Sequence, residues 1–268
     1  MHAFIYQHEM LIRLGFFFGV LLIIALWEFF WPRRQLSFSR SKRWPSNLGI
    51  VAVDSVILRL IMPILAIGIA LVAQQNQWGL FNIIRFPYWL AVLVSVIILD
   101  FVIYLQHVMF HAIPLFWRIH RMHHTDLDID VTTGLRFHPI EIILSMLIKI
   151  SAVILLGAPA ISVLIFEVLL NATSMFNHGN IYLPKYADKI IRSLIVTPDM
   201  HRVHHSIIRH ETHSNFGFNL SIWDRALMTY IAQPKEGHHD MTIGLEIFRD
   251  PKNLRLDKLL LIPFIKTK

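Results

Sequence analysis

The chain has 268 residues, 55% hydrophobic and 16% charged, with a mean hydropathy of +0.53; a soluble domain averages roughly 45–50% apolar and ~25% charged, so an ordinary water-soluble enzyme is excluded. It has no cysteine, which removes disulfides, iron–sulfur clusters, thiolate-ligated haem and cysteine nucleophiles, yet it carries 16 histidines against 18 acidic residues. The net charge of +7 gathers at the ends of apolar runs, with Arg33, Arg34, Arg40, Lys42 and Arg43 in one short loop, and this is the pattern of a membrane protein rather than of a nucleic-acid-binding face.

The first apolar run, Leu14 to Trp31, exceeds the ~7–15-residue core of a cleaved signal peptide. It ends in an aromatic belt of Trp27, Phe29, Phe30 and Trp31, and reads as a retained anchor and first span. Leu48 to Ala73 reads as a second span carrying Asp54 and Arg59, charges expected to face the bundle interior and pair. Phe86 to Gln106 is the third, with Pro87 placed for a helix start. Ile140 to Leu156 and Ile161 to Met175, split by Gly157-Ala158-Pro159, are short for independent crossings and contain Lys149 and Glu167. They read as a helical hairpin that enters the bilayer and returns. Leu259 to Ile265 reads as peripheral packing. The expected fold class is therefore all-α: an integral membrane helical bundle of three spans plus a helical hairpin, with a cytoplasmic histidine-rich helical cap. Residues 1–94 are expected to form the membrane anchor region, 95–232 a domain holding most of the histidines and 233–268 a peripheral tail. Loop 32–47 has five basic and no acidic residues, whereas loop 74–85 has only Arg85, so the positive-inside rule predicts a cytoplasmic first loop. With a hairpin at 139–175, residues 107–124 and 201–205 then share the cytoplasmic face.

The histidines are spaced, not scattered. His107 and His111 stand at i, i+4; His120, His123 and His124 at i, i+3, i+4; His201, His204 and His205 repeat the second pattern. Positions three and four apart share a helix face, and neutral imidazole is the commonest metal-binding side chain. Eight such groups exceed the needs of one tetrahedral ion and suit two ions sharing a site. Buried without partners, they would carry a large desolvation cost. His2, His8, His210, His213 and the pair His238–His239 read as packing or solvated residues. Asp100 and Tyr104 continue the His107–His111 stripe, and Asp100 is placed either to accept a hydrogen bond from an imidazole or to bond a neighbouring span. His138 and His178 flank the hairpin. His178 is the better further ligand, and His138 belongs beside the site with Glu141.

Neither the His-Glu-x-x-His signature of zinc peptidases nor the Glu-x-x-His of carboxylate-bridged di-iron bundles occurs. No Gly-x-Gly-x-x-Gly or phosphate loop occurs either, so redox chemistry would draw electrons from a separate donor.

The order Asp100-x3-Tyr104-x2-His107-x3-His111, then His120-x-x-His123-His124, resembles the fatty acid hydroxylase/sterol desaturase superfamily of membrane di-iron enzymes. The likeness continues through Arg136-Phe137-His138-Pro139-x-Glu141, His178-Gly179-Asn180, Thr197-Pro198-x-x-His201-x-x-His204-His205, Asn215-x-Gly217 and Trp223-Asp224-Arg225. It covers residues 95–232, and departs at Val108, where the family often has arginine. The resemblance implies oxygen-dependent hydroxylation or desaturation of unactivated C–H bonds in a fatty acyl, sterol or related lipid. It implies two iron ions, for which zinc can substitute in isolated protein, with O2 as co-substrate. By motif position the ligands are His107, His111, His120, His123, His124, His178, His201, His204 and His205, with no catalytic side chain beyond them. Asn180 and Asp224 join Asp100, Tyr104, His138 and Glu141 as candidates to stand beside the ligands. The implied partners are a bilayer lipid and an electron donor protein or reductant, and the implied location is a bacterial inner membrane or the endoplasmic reticulum. Two other classes stay open. A metal transport or storage protein would need ionisable groups along a path through the bilayer. A zinc-dependent membrane hydrolase would need a glutamate base beside the histidines, which the spacing does not display.

Overall fold

Long apolar runs bounded by proline, glycine or charge give helices, and the computed structural model, which describes residues 7–84 and 86–266, has helices in each of these runs. His2 and Arg85 lie outside the described residues. Helix α1 is Glu9–Phe30 and α2 is Arg40–Ile61. At 1.5 Å per residue, 22 residues reach roughly 33 Å, enough for a hydrocarbon core of ~30 Å. Helix α3 is Ala66–Gln75, α4 Tyr88–Ala112 and α5 Pro114–His124. The hairpin is α6, Pro139–Leu156, and α7, Ala160–His178; α8, Pro198–His204, lies beyond it. Among the described residues, five segments are long and apolar enough to cross a membrane, with α2 and α3 counted as one. Among the described residues there is no β-strand, only isolated bridges such as Pro32 to Ile181 and Ile195 to Leu220.

The expected second span differs from the structure at both ends. Its helix begins at Arg40, eight residues before Leu48, and stops at Ile61. Pro63 is the reason for the stop: it disfavours helical backbone at the preceding residue and has no N–H to donate, and Met62 is extended at φ −122° and ψ 90°. The hairpin turn is set by Gly157, whose φ is +63°, a left-handed conformation suited to glycine. A Cβ there would come within 2.7 Å of the Trp78 carbonyl oxygen.

Helix α7 is the centre of the bundle and packs on α1, α3, α4 and α8, while α6 packs on α2, α3 and α4. Leu99, Ile103, Met146, Val153, Val163 and Phe166 fill the space between them. Lys149 donates to Glu167 at 2.6 Å and Arg13 reaches the same carboxylate at 3.0 Å, so the charges inside the hairpin are paired across it and to α1. Asp54 and Arg59 form no such pair; Asp54 is buried and lines a cavity. Leu259 and Ile262 of the tail pack on Ile50 and Met122.

The basic loop is less free than its composition suggests. Arg43 is fully buried and donates to Asp126 at 2.8 Å from both Nε and Nη2 and to Asp130 at 2.6 Å. Arg33 pairs with Asp199 at 3.0 Å and Arg40 with Glu28 at 3.5 Å. Part of the charge asymmetry that pointed to a cytoplasmic loop thus serves internal carboxylates, and residues 40–43 are helix rather than loop.

Candidate metal centre

Proline starts two of the helices that carry the histidines, and also α6, which carries Glu141, since its fixed φ suits the first turn and its missing N–H costs nothing there. Pro114 opens α5, Pro139 opens α6 and Pro198 opens α8, where the Thr197 hydroxyl caps the Met200 N–H. At one end of the bundle, nine fully buried imidazoles converge in two sets. His107, His111, His120, His124 and His204 form one, and His123, His178, His201 and His205 the other, each with one ring nitrogen per residue within 4.8 Å of the rest.

The hydrogen bonds fix where the protons sit. Nδ1 of His107, His123, His178 and His204 donates to the backbone carbonyls of Phe216, Arg136, Ser174 and Ser214 at 2.7, 3.0, 2.7 and 2.7 Å. Nδ1 of His120 donates to Glu141 Oε1 at 2.7 Å. A carbonyl only accepts, so each of these rings carries its proton on Nδ1 and presents a bare lone pair at Nε2. Those lone pairs point at each other: Nε2 of His107 and His120 are 3.1 Å apart, as are Nε2 of His123 and His178. No proton lies between them, so they repel unless a cation does. Two nitrogens sharing one ion at ~2.1 Å stand about 3.0–3.4 Å apart, which these pairs match. Nε2 of His111, His124, His204 and His205 has no hydrogen-bond partner. Burial first, and neighbouring imidazoles second, push His123, His124, His201 and His205 well below the ordinary histidine range; burial does the same to His204. They are neutral at pH 7, the form that binds a metal.

The residues expected beside the histidines divide. Glu141 bonds His120 directly, and its second oxygen, Oε2, has no partner. Asp224 acts one step further out: it accepts the N–H groups of Phe216 and Gly217 at 2.7 and 2.9 Å and the Thr229 hydroxyl at 2.7 Å, holding the loop whose carbonyl orients His107. Burial pushes its carboxyl up to about 6. The Tyr104 hydroxyl meets Thr229 at 2.8 Å in the same network. Asp100 does not bond an imidazole; it accepts from Trp223 Nε1 at 2.7 Å and the Leu220 N–H at 3.2 Å, tying α4 to the C-terminal segment. Asn180 meets the Arg34 backbone. His138 caps α6 and bonds the Leu260 carbonyl. His238, expected in a solvated loop, is buried with Nε2 3.6 Å from Asp199, whereas His213 is exposed with its ring 5.4 Å from that of His111.

Sequence reasoning missed the buried polar frame next to the site. Arg43, Asn47, Asp126, Asp130, Thr132 and Thr133 bond one another. Arg136 extends the frame to the end of α5, reaching the Met122 carbonyl and the Thr125 hydroxyl at 3.1 and 2.6 Å. The available signal was the alternation of Asp126, Asp128 and Asp130 directly after the second histidine group, with five basic residues elsewhere to match. A cavity of about 290 Å³ reaches this end of the bundle, lined by His107 and His120 as well as by α1, α2, α6 and α7.

Among the described residues, the fold and site define a helical protein with five candidate membrane-spanning segments and two buried histidine sets at one end. The fatty acid hydroxylase family model matches residues 92–229, just over half of the chain, and the chain belongs to that family. An ornithine lipid hydroxylase of Rhizobium tropici is 30% identical over 159 residues, 59% of this chain and 47% of its own length. Alkylglycerol monooxygenase of Xenopus tropicalis is 21% identical over 257 residues, 92% of this chain and 53% of its own, and the Homo sapiens enzyme 23% over 195 residues, 69% and 41%. The chain spans about half the length of these relatives. No solved structure matches it.

Proposed function

We propose that the protein is a membrane-bound, oxygen-dependent lipid oxidoreductase in which the nine histidines hold two iron ions. The supporting observation is the pairing of bare Nε2 lone pairs at 3.1 Å in each set, which only a bound cation makes favourable. Iron bound there would supply dioxygen activation and the removal of hydrogen from an unactivated C–H bond. The chain's own work is positioning. Backbone carbonyls and Glu141 hold the ring protons on Nδ1, the buried loops exclude water, and the cavity between α1, α2, α4, α6 and α7 gives a lipid a route to His107 and His120. The relatives named as a lipid hydroxylase and as monooxygenases support insertion of oxygen over desaturation. Electrons come from a separate donor, and the site faces the cytoplasm in this reading, with 95–232 as the catalytic domain.

The free Oε2 of Glu141 favours one competing reading, a zinc-dependent hydrolase with Glu141 as its base. Oxygen separates the two. Purified protein is expected to hold about two iron atoms per chain, and lipid extracts from cells with the gene to show species heavier by one oxygen. Equal lipid conversion without oxygen, in zinc-loaded protein, would overturn the proposal in favour of the hydrolase.

A further inference from the structure

The cavity beside the histidines is not the apolar slot that a bare acyl chain would need. Three hydrogen-bond acceptors in its wall lack partners: Asp54 Oδ1 on α2, Gln106 Oε1 on α4 and Glu141 Oε2 on α6. Asp54 is 7% exposed and Glu141 3%. The cations in the same wall are already used, since Lys149 and Arg13 both bond Glu167. An unpaired carboxyl group inside a membrane bundle is expensive and marks a functional group, and in either protonation state its free oxygen can accept a hydrogen bond. The unmet demand of the cavity therefore includes donors.

We infer that Asp54, with Glu141 and Gln106, recognises a hydroxyl or amino group on the lipid, so that the substrate is a lipid whose polar, hydrogen-bond-donating part enters the cavity. Building on the lipid-oxidation reading, this assigns the oxidised carbon to the region near the polar group rather than to a remote part of the chain, because the same cavity is lined by His107 and His120. Asp54 lies outside residues 92–229, so the determinant belongs to the N-terminal part of this chain and not to the stretch that defines the family. Geometry favours Asp54 over Glu141 as the selective group: Glu141 already accepts from His120, whereas no hydrogen bond or ion pair engages Asp54 Oδ1.

The test is equilibrium binding to the full-length, metal-loaded protein in detergent, with three probes of equal chain length: a monoacylglycerol, its di-O-methyl ether, and an analogue carrying an amino group in place of a hydroxyl. Wild type is expected to bind the two donor-bearing lipids about ten-fold more tightly than the methyl ether, the upper end of the scale of one net hydrogen bond. Asp54→Leu is expected to bind all three alike, at the wild-type affinity for the ether, and Asp54→Asn to keep part of the preference. Removing a buried carboxyl group that engages no hydrogen bond or ion pair through Oδ1 does not threaten folding, and unchanged ether affinity verifies that. The tighter of the two donor lipids identifies the donor; either result supports the assignment. Equal binding of all probes by wild type, or a preference that survives in Asp54→Leu, overturns it. A donor preference that depends on Asp54, in iron-loaded protein that incorporates no oxygen, would instead sink the oxidation reading and leave the recognition role standing.

Discussion

Arg43→Met is the most informative perturbation of the frame that carries the site. Arg43 is fully buried and donates to Asp126, Asp130, Thr133 and the Asp128 carbonyl. Methionine fills a similar volume but leaves two buried carboxylates short of their cation. Removing one partner of a buried pair costs about 3–5 kcal/mol. Asp126 retains Arg136 at 3.5 Å and the Thr133 hydroxyl, and Asp130 retains Trp44 Nε1 at 3.2 Å, so the expected loss sits near the lower end, about 3 kcal/mol. At ~2–4 °C per kcal/mol for a chain of this size, the melting temperature in detergent falls by roughly 6–12 °C. Burial pushes the Asp126 carboxyl up, but the Arg43 and Arg136 guanidiniums, with hydrogen bonds, outweigh it and hold it well below the usual carboxylate range. Its contribution is therefore present above the unfolded value of ~3.9 and lost as pH falls below that. In Arg43→Met the carboxylates can protonate at higher pH, so the gap between variant and wild type narrows on acidification from pH 7 to 4. Tryptophan fluorescence melts across that range are the assay. A variant that melts within ~2 °C of wild type at pH 7, or a gap that widens in acid, refutes the reasoning.

Glu141→Gln keeps an acceptor for His120 but removes its charge, and is expected to weaken metal binding by about 10–100-fold, read by chelator competition; an unchanged affinity would contradict the role assigned to the 2.7 Å bond. Asp224→Asn turns one of its acceptors into a donor facing the Phe216 or Gly217 N–H. The loop behind His107 should loosen, so purified protein should hold less metal and its 215–229 segment should exchange amide hydrogens faster; unaltered exchange would count against the relay. Gly134→Ala would set a Cβ 2.4 Å from the Ser174 carbonyl oxygen and 3.0 Å from His178 Nδ1. Overpacking of this kind costs about 1–3 kcal/mol, so melting should drop by several degrees, and a neutral variant would show that the α7 backbone there yields easily.

Hydropathy revealed the helical bundle because each span is a local, continuous signal, and the turn at Gly157 is likewise local. What it missed is either punctual or distant. A hydropathy window averages through Pro63, and Arg40, Lys42 and Arg43 read as loop because nothing local announces Asp126 and Asp130 as partners of Arg43. Asp100 and Trp223, Asn180 and Arg34, and His238 and Asp199 are joined across 123, 146 and about 40 positions of chain, and no periodicity links such residues. The histidine spacing was legible as faces of helices, since i, i+4 pairs point alike. The division into sets was not: His120 and His124 turn to one set while His123 turns to the other, and His201 and His205 separate from His204 in the same way.

That division explains why the frame around the histidines matters as much as the histidines. Two helices each present imidazoles to both sets, so a small rotation of α5 or α8 would improve one set at the expense of the other. Nothing in the imidazoles themselves prevents it; the restraint comes from what they donate to. His123 is oriented by the carbonyl of Arg136, whose guanidinium holds the end of α5 through Met122 and Thr125. His204 is oriented by Ser214, beside Asn215, which holds the α8 carbonyl of Met200 at 2.8 Å. Each of these imidazoles is thus referenced to the backbone of its own helix through a buried polar group that is not itself a proposed ligand. Positional accuracy of this kind comes from rigid support behind the contacting side chains, and it predicts that Asn215→Ala, far in sequence from α5 and touching no imidazole, lowers metal content without lowering membrane insertion. Full metal occupancy in that variant would show that the imidazoles find both sets on their own.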